Sequence, residues 1–340
     1  MDSVTQIALG ATLAAACVPK QSRRKAALLG AALGTLPDLD VVLDYGDPVA
    51  DFTYHRGFSH SLFVLLPFSV FLWALLWRFT DVVKQAPKQW LAGISLALVT
   101  HPILDAHTAY GTQLFWPLTR PPESWSTLFI IDPLYTLPLL IAMVALLIRP
   151  RAQTTQKLVR FGLIASTVYL SWSWVGKIMV EQQAAQQFAG QSIRTFSTPT
   201  PFNTLLWRIV VRTEGDYYEG FYSVLSPQQT IQFNRFDRGD ALLEQAQQVW
   251  AVQRLDWFTR GFIKAYNAQD RLLIADLRMG FEGAYAFTHA VAAMDASGAK
   301  AIPSERMPRG YNAGDLQFVW DNLTEVKTQR VVPSEALAGD

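Results

Sequence analysis

Four of the five histidines lie in two short polar motifs in the first third of the chain, and a third motif there carries two aspartates. The motifs are residues 36–40 (LPDLD), 55–61 (HRGFSHS) and 101–107 (HPILDAH). Imidazole and carboxylate groups without thiolate are ligands that suit zinc, manganese or iron. Because Cys17 is the single cysteine of the chain, an internal disulfide and a multi-thiolate zinc site are excluded.

The spacing within the motifs is suited to metal coordination. His101 and Asp105 are four residues apart, so on a helix they share one face and can bind one ion. The two aspartates of the first motif can converge on one ion or bridge two, and the two histidines at positions 55 and 60 bracket a glycine. We therefore predict one or two divalent ions, with zinc foremost and manganese or iron as alternatives. The predicted ligands are Asp38, Asp40, His55, His60, His101 and Asp105.

Three residues are candidates for catalysis beside the metal. A metal-activated hydroxide would attack an ester, and a carboxylate outside the coordination sphere, Asp38 or Asp132, would act as general base. Arg56 is adjacent to a predicted ligand and would bind a substrate phosphate or neutralise developing charge. Each motif also has a structural interpretation: a PDLD turn commonly ends a helix, and Asp132 before Pro133 is suited to cap one. We assign structural roles to His107 and His289.

The elements that position these motifs are predicted to be membrane helices. Half of the 340 residues are hydrophobic, and the first 180 residues contain only 24 of the 57 charged residues. Such apolar stretches approach the roughly 20 residues that a bilayer requires. Six segments are predicted, at residues 7–18, 26–36, 61–79, 90–100, 133–148 and 161–180.

Basic loops predict the orientation. Lysines and arginines cluster in residues 20–25, 78–88 and 149–160, after the first, third and fifth segments, and such loops remain in the cytoplasm. Six crossings satisfy all three loops and bring every polar motif to the outer face. A cleavable signal peptide is the alternative for the first 20 residues, but Asp2 stands where a positive region is expected.

Residues 181–340 are predicted to form a soluble α+β domain on the outer side. Strands are expected at residues 205–212, 217–224 and 272–277, helices at 241–253 and 257–266, and a loose tail after Gln329. The formal net charge of +1 gives no electrostatic indication of nucleic acid binding. Membrane lipids are the expected partners.

Residues 1–150 resemble the bacterial membrane-bound metal-dependent hydrolase family (YdjM-like). The resemblance rests on the motifs above, on the start MDSVTQ followed by Leu9 and Gly10, on Tyr110–Thr112 (YGT), and on residues 131–135 (IDPLY). Many relatives carry a histidine where this chain has Gln6, so position 6 is not assigned to the metal. The resemblance implies an inner-membrane location and hydrolysis. The motifs are also similar in style to zinc-dependent phospholipase C and nuclease enzymes, which implies phosphoester chemistry.

These expectations combine into one leading function and two alternatives. The leading function is a metal-dependent hydrolase that acts on a phosphoester or other ester of a lipid or lipid-linked substrate. A transporter or sensor would bind the metal without turnover. A structural protein would use the metal only to tie its helices together, and a closed coordination sphere would favour that alternative.

Overall fold

The computed structural model describes residues 1–296, 298–308, 313–328 and 330. The chain forms two compact units. The first comprises Met1–Val42 and Arg56–Trp174, and the second comprises Leu43–His55 and Val175–Asp340. Residues 43–55 therefore belong to the second unit although the sequence of the first unit surrounds them, a feature that the predicted division at residue 180 lacks.

Helices dominate the first 187 residues. They are α1 (Ser3–Cys17), α2 (Arg23–Thr35), α3 (Pro48–Tyr54), α4 (Leu62–Phe79), α5 (Asp81–Lys84), α6 (Pro87–Ala106), α7 (Pro133–Ile148) and α8 (Gln153–Gln187). Short 3-10 turns lie at Lys20–Ser22, Pro37–Val42 and Phe58–His60. Helix α3 belongs to the second unit, and residues of α8 belong to both.

Every predicted membrane segment falls within a helix, apart from at most one residue at an end, in the order α1, α2, α4, α6, α7 and α8. Two of these helices, Leu62–Phe79 and Gln153–Gln187, are long and apolar enough to cross a membrane. Ser3–Cys17 and Pro133–Ile148 are shorter apolar helices. The helical character of this region is confirmed, whereas six crossings stay a prediction.

Polar residues at the helix starts explain where these helices begin. Asp2 accepts a hydrogen bond from the main-chain nitrogen of Thr5 (3.1 Å) and caps α1. Ser61 caps α4 by accepting one from Phe63 (3.1 Å). Such side chains bind main-chain N–H groups that have no partner within the helix.

Small residues bring α1 and α2 into close contact. A Cβ atom on Gly30 would lie 2.2 Å from the carbonyl oxygen of Gly10, and one on Gly34 would lie 2.4 Å from that of Gln6. Only glycine permits this distance, which is the reason for small residues at tight helix–helix contacts. The predicted close approach of the two helices is confirmed.

Antiparallel sheets form most of the second unit. One sheet contains β1 (Arg194–Pro199), β2 (Leu206–Arg212), β3 (Asp216–Ser223) and β4 (Phe233–Asp237) in sequence order. In the other, β5 (Ile263–Ala268), β6 (Arg271–Asp276), β9 (Thr288–Asp295) and β10 (Gly298–Arg306) have the order β10-β9-β6-β5. The remaining described elements are the hairpin β7 (Gly280–Phe281) and β8 (Ala284–Tyr285) and the helices α9 (Asp240–Gln245), α10 (Trp250–Thr259) and α11 (Ala313–Asp321).

The three predicted strands correspond to β2, β3 and β6, but the helix predicted at residues 257–266 is wrong. Helix α10 ends at Thr259 because Arg260 and Gly261 have positive φ angles of 57° and 83°. The chain then enters β5, whose side chains alternate between buried and half-buried positions at its start. The helix predicted at 241–253 is divided between α9 and α10. The predicted loose tail after Gln329 lies, apart from Arg330, outside the described residues.

Candidate metal centre

Two histidines and two aspartates from three elements of the first unit converge. Asp38 lies in the turn after α2 and His60 in the turn before α4, while His101 and Asp105 lie one turn apart on α6. His60, His101 and Asp105 have buried side chains, and that of Asp38 is 24% exposed. The group therefore has a single partly open side, at Asp38.

The donor atoms have the spacing of a tetrahedral site. The Nε2 atoms of His60 and His101 are 3.1 Å apart. Asp105 Oδ2 lies 3.2 Å and 3.3 Å from them, and Asp38 Oδ1 lies 3.3 Å and 3.4 Å from them. Corners placed 2.0–2.1 Å from a tetrahedral centre, the usual Zn–N and Zn–O distances, are about 3.3–3.4 Å apart. Five of the six distances between the four donor atoms are thus close to those expected for a tetrahedron.

The outer nitrogen of each imidazole fixes its orientation. Nδ1 of His101 donates to the carbonyl oxygen of Gly34 (2.6 Å), which can only accept, so Nδ1 carries a proton. Nδ1 of His60 lies 2.9 Å from Ser59 Oγ, whose hydroxyl donates to Asp40 Oδ2 (2.5 Å). Such partners set the tautomer of metal-binding histidines. The two Nε2 atoms thus face two carboxylates, and either protons on Nε2 or a divalent cation bound by both rings would balance the carboxylate charge.

The two carboxylate oxygens of Asp105 differ in their hydrogen bonds. Its Oδ1 atom accepts hydrogen bonds from Gln6 Nε2 (3.1 Å) and from the amino group of Met1. Its Oδ2 atom is buried and makes no hydrogen bond to the described residues, although Arg56 Nε lies 3.4 Å away. A buried carboxylate oxygen of this kind, directed at two imidazoles, fits a metal ligand.

Asp40 and Arg56 lie behind the four ligands. Asp40 Oδ2 accepts from the main-chain nitrogen of Arg56 (2.9 Å) as well as from Ser59. Arg56 has a positive φ of 60°, and its buried guanidinium stacks over the ring of Tyr110 at 5.0 Å. Asp40, predicted as a ligand, therefore supports His60 through Ser59 and is outside the group of four.

The electrostatic surroundings keep the exposed ligand ionised. Burial would raise the pKa of Asp38, but hydrogen bonds with His101 and His60 outweigh it and hold that pKa well below its usual value. The carboxylate is then available as an anionic donor at every physiological pH.

The structure does not bring the other predicted site residues into the group. His55 lies in the second unit, at the end of α3. Asp132 caps α7 through Leu134 (3.1 Å), and its second oxygen accepts from Tyr169 (3.0 Å). Burial raises the pKa of Asp132, in opposition to these hydrogen bonds.

His107 has the structural role predicted for it. Its Nδ1 atom lies 2.8 Å from the carbonyl oxygen of Ile103, and Nε2 accepts from Trp174 (3.3 Å). Gln6, Ser59 and Gly34 contact Asp105, His60 and His101, and no sequence pattern predicts these contacts. Their residue types occur too widely to indicate that they hold a ligand.

An apolar helical region that encloses a buried His/Asp group defines the class: a helical membrane-type protein with a candidate metal centre. The chain belongs to the YdjM inner membrane protein family, whose profile matches residues 1–180. The resemblance drawn from the motifs is thereby confirmed.

One curated relative is similar to part of the chain. "Uncharacterized protein YfhP" of Bacillus subtilis (strain 168) is 30% identical over 139 residues, which is 39% of this chain and 41% of the relative. The match thus spans about two fifths of the length of that relative. No solved structure matches the chain at a significant level.

Proposed function

We propose that the chain is a metal-dependent hydrolase of the bacterial inner membrane that cleaves a phosphoester or other ester of a lipid or lipid-linked substrate. One observation carries the proposal: four ligand atoms at tetrahedral spacing, buried on three sides and open at Asp38. Catalytic metal sites require such an open side, because substrate and water must reach the ion.

The proposed occupant is one zinc ion. Two imidazoles and two carboxylates suit zinc, and manganese or iron would usually take six ligands in an octahedron. The two carboxylates carry two negative charges, which a divalent cation neutralises. When bound, zinc would supply Lewis-acid polarisation of the ester and activation of water.

Different side chains would bind the metal, accept a proton and stabilise negative charge. His60, His101 and Asp105, the buried members, would hold the ion. Asp38 would orient and receive a proton of the attacking water, since it is both ionised and accessible. The Arg56 guanidinium would offset the charge of Asp105 and favour a negatively charged transition state. Asp132 is engaged as a helix cap, so the role of general base falls to Asp38.

The surface next to the open side supports a lipid-like substrate. Leu39, Val41 and Val42 follow Asp38 in the chain, and all three side chains are exposed, Val42 to 77%. Phe58, two residues before His60, is exposed as well. A group of exposed apolar side chains typically marks contact with a membrane or an apolar ligand.

Membrane insertion with six crossings forms part of the proposal. Exposed apolar side chains line α4, α7 and α8, for example Phe71, Ile141 and Val168, and these would face lipid. With the basic loops in the cytoplasm, the site and the second unit would lie on the periplasmic side.

A non-catalytic metal protein is the second candidate. Four protein ligands complete a tetrahedral shell, as in structural zinc sites. If Asp38 stays bound throughout, no position remains for water, and the ion would only tie α6 to the turns that carry Asp38 and His60. Transport or sensing would be further uses of such a site.

Replacement of Asp38 by asparagine separates the two candidates. Wild type, Asp38→Asn and Asp44→Asn, an exposed acid of the adjacent loop, would be purified in detergent with zinc at matched content. Hydrolysis of bis(p-nitrophenyl) phosphate and of phospholipids would be measured. A hydrolase predicts that Asp38→Asn binds zinc but loses about 100- to 1000-fold in rate, while Asp44→Asn resembles wild type. Loss of zinc from Asp38→Asn, with no turnover by wild type, favours the structural candidate.

A further inference from the structure

The two halves of the candidate centre are joined by a segment that belongs to the other unit. Residues 43–55 belong to the second unit, whereas Asp38 precedes this segment and His60 follows it in the first. Both ends are fastened to each other, because the main-chain nitrogen of Arg56 donates to Asp40 Oδ2 at 2.9 Å. Asp38 and His60 are each five residues from the nearer end of the segment, so the position of the segment limits where the chain can hold both ligands.

Polar contacts fix this segment within the second unit. Asp47 caps α3 and accepts from the main-chain nitrogen of Ser304 (3.0 Å) on β10. Arg254 of α10 donates to Thr53 twice, from Nε to Oγ1 (2.9 Å) and from Nη2 to the carbonyl oxygen (3.1 Å). Its guanidinium also stacks on Tyr54 at 4.4 Å and on Trp257 at 4.2 Å. An arginine that uses hydrogen bonds and both stacking faces is held in one geometry.

Apolar packing completes the attachment. Phe52 is buried, and its ring centre lies 4.5 Å from that of Phe287 and 4.9 Å from that of Phe258. The ring centre of His289 on β9 lies 5.4 Å from that of Phe52. Aromatic groups at these distances contribute both apolar burial and favourable ring contacts.

We propose that the second unit positions the metal centre, and that Phe52 and Arg254 are the positioning residues. The inference rests on the proposed metal site and assigns a role to the second unit. Ligand distances in a metal site hold to within about 0.2 Å, and the docked segment restricts the freedom of the chain at Asp38 and His60. Docking and metal binding are then thermodynamically linked, so each strengthens the other by the same factor.

Metal affinity tests the linkage in the full-length protein. Zn²⁺ dissociation constants would be measured by chelator competition for Arg254→Ala and Phe52→Ala. The matched controls are Arg235→Ala, whose side chain pairs with Asp216, and Phe221→Ala, whose ring packs on Phe281 and Phe318. We expect the two test variants to bind about 5- to 150-fold more weakly and the controls to bind like wild type.

Two readouts separate positioning from a general loss of stability. The visible absorption of the Co²⁺-loaded protein reports ligand geometry, and it should change in the test variants but not in the controls. Arg254→Lys, which retains a donor and a cation, should restore part of the affinity.

Hydrogen exchange of the wild type keeps the inference testable if a variant does not fold. Added Zn²⁺ should slow exchange of the amides of α3. Unchanged exchange in α3, or wild-type zinc affinity in both test variants, overturns this inference and leaves the proposed function intact. A wild type that binds no Zn²⁺ overturns both.

Discussion

The local partners of the histidines distinguish a ligand from a structural residue. His60 and His101 each use Nδ1 for a fixed partner and direct Nε2 toward carboxylates, whereas Nε2 of His107 faces the indole N–H of Trp174, which can only donate. The lone pair of His107 Nε2 accepts the hydrogen bond from Trp174 and is therefore not available to a metal.

The first prediction follows from that difference. His101→Gln should remove the bound zinc, while His107→Gln, six residues further along, should retain it. A ligand present at 100 times its dissociation constant stabilises a protein by about 2.7 kcal/mol, so zinc should raise the thermal midpoint of wild type and His107→Gln but not of His101→Gln. Metal analysis and thermal unfolding with and without zinc measure both effects. Zinc loss from His107→Gln alone would contradict the assignment.

The second prediction concerns the hydroxyl that connects His60 to Asp40. Ser59→Ala removes the partner of His60 Nδ1, and loss of such an outer partner typically weakens metal affinity by about 10- to 100-fold. Ser61→Ala is the matched control, because its hydroxyl bonds Trp116 and caps α4. Equal zinc affinities in the two variants would show that Ser59 does not orient the ligand.

At the scale of elements, the contact between α1 and α2 also supports the site. Gly34, which lies in this contact, supplies the carbonyl oxygen that orients His101. Separation of the two helices would therefore displace a ligand's partner as well as loosen the packing.

The third prediction tests that contact by substitution. Gly30→Ala places a Cβ atom 2.2 Å from the Gly10 carbonyl oxygen, and overpacking of this kind costs about 1–3 kcal/mol. Gly93→Ala is a graded control, because its Cβ would lie 3.1 Å from the Ala14 carbonyl oxygen. Denaturant unfolding in detergent should find Gly30→Ala less stable than Gly93→Ala and weaker in zinc binding. The reverse order would contradict the close approach.

The sequence predicts elements and ligands where the relevant spacing is local. The pair His101 and Asp105 was predicted because four residues form one helical turn, and long apolar runs predicted the helices. His55 lies outside the group of four and in the second unit, so its assignment as a ligand stays a prediction. Strand β5 was missed because Arg260, a residue rarely found at positive φ, begins the break.

The fourth prediction concerns β9 and pH. Burial, followed by the charge of Arg306, lowers the pKa of His289 from 6.5 to about 4, although Asp276 and Asp47 oppose this. Since the folded pKa lies below the unfolded one, the stabilisation is complete above pH 6.5 and is lost as the pH falls toward 4. The loss should reach about 3 kcal/mol. Thermal midpoints of wild type and His289→Gln should converge with acidification, and parallel curves would contradict the neutral histidine.

At the scale of the molecule, the sequence indicates the family and the candidate site in the first unit but gives less information about the second. The first carries the family match and the candidate ligands, and the second contributes a segment that separates two of those ligands in sequence. Deletion of residues 181–340 is therefore expected to weaken metal binding as well as to remove a domain.

The last prediction concerns membrane topology. In a Cys17→Ser background, single cysteines would be introduced at Gly46, Arg120, Lys84 and Arg151, all exposed positions outside the six predicted membrane segments. With six crossings and basic loops in the cytoplasm, a membrane-impermeant maleimide should label the cysteines at 46 and 120 in cells with a permeabilised outer membrane. Those at 84 and 151 should react only after the inner membrane is disrupted. Because no predicted crossing separates Asp38 from Gly46, labelling at 46 also reports the side on which substrate would reach the site. Protection at 46 with labelling at 151 would reverse the orientation and put the proposed hydrolase on the cytoplasmic face, where a different pool of esters is available.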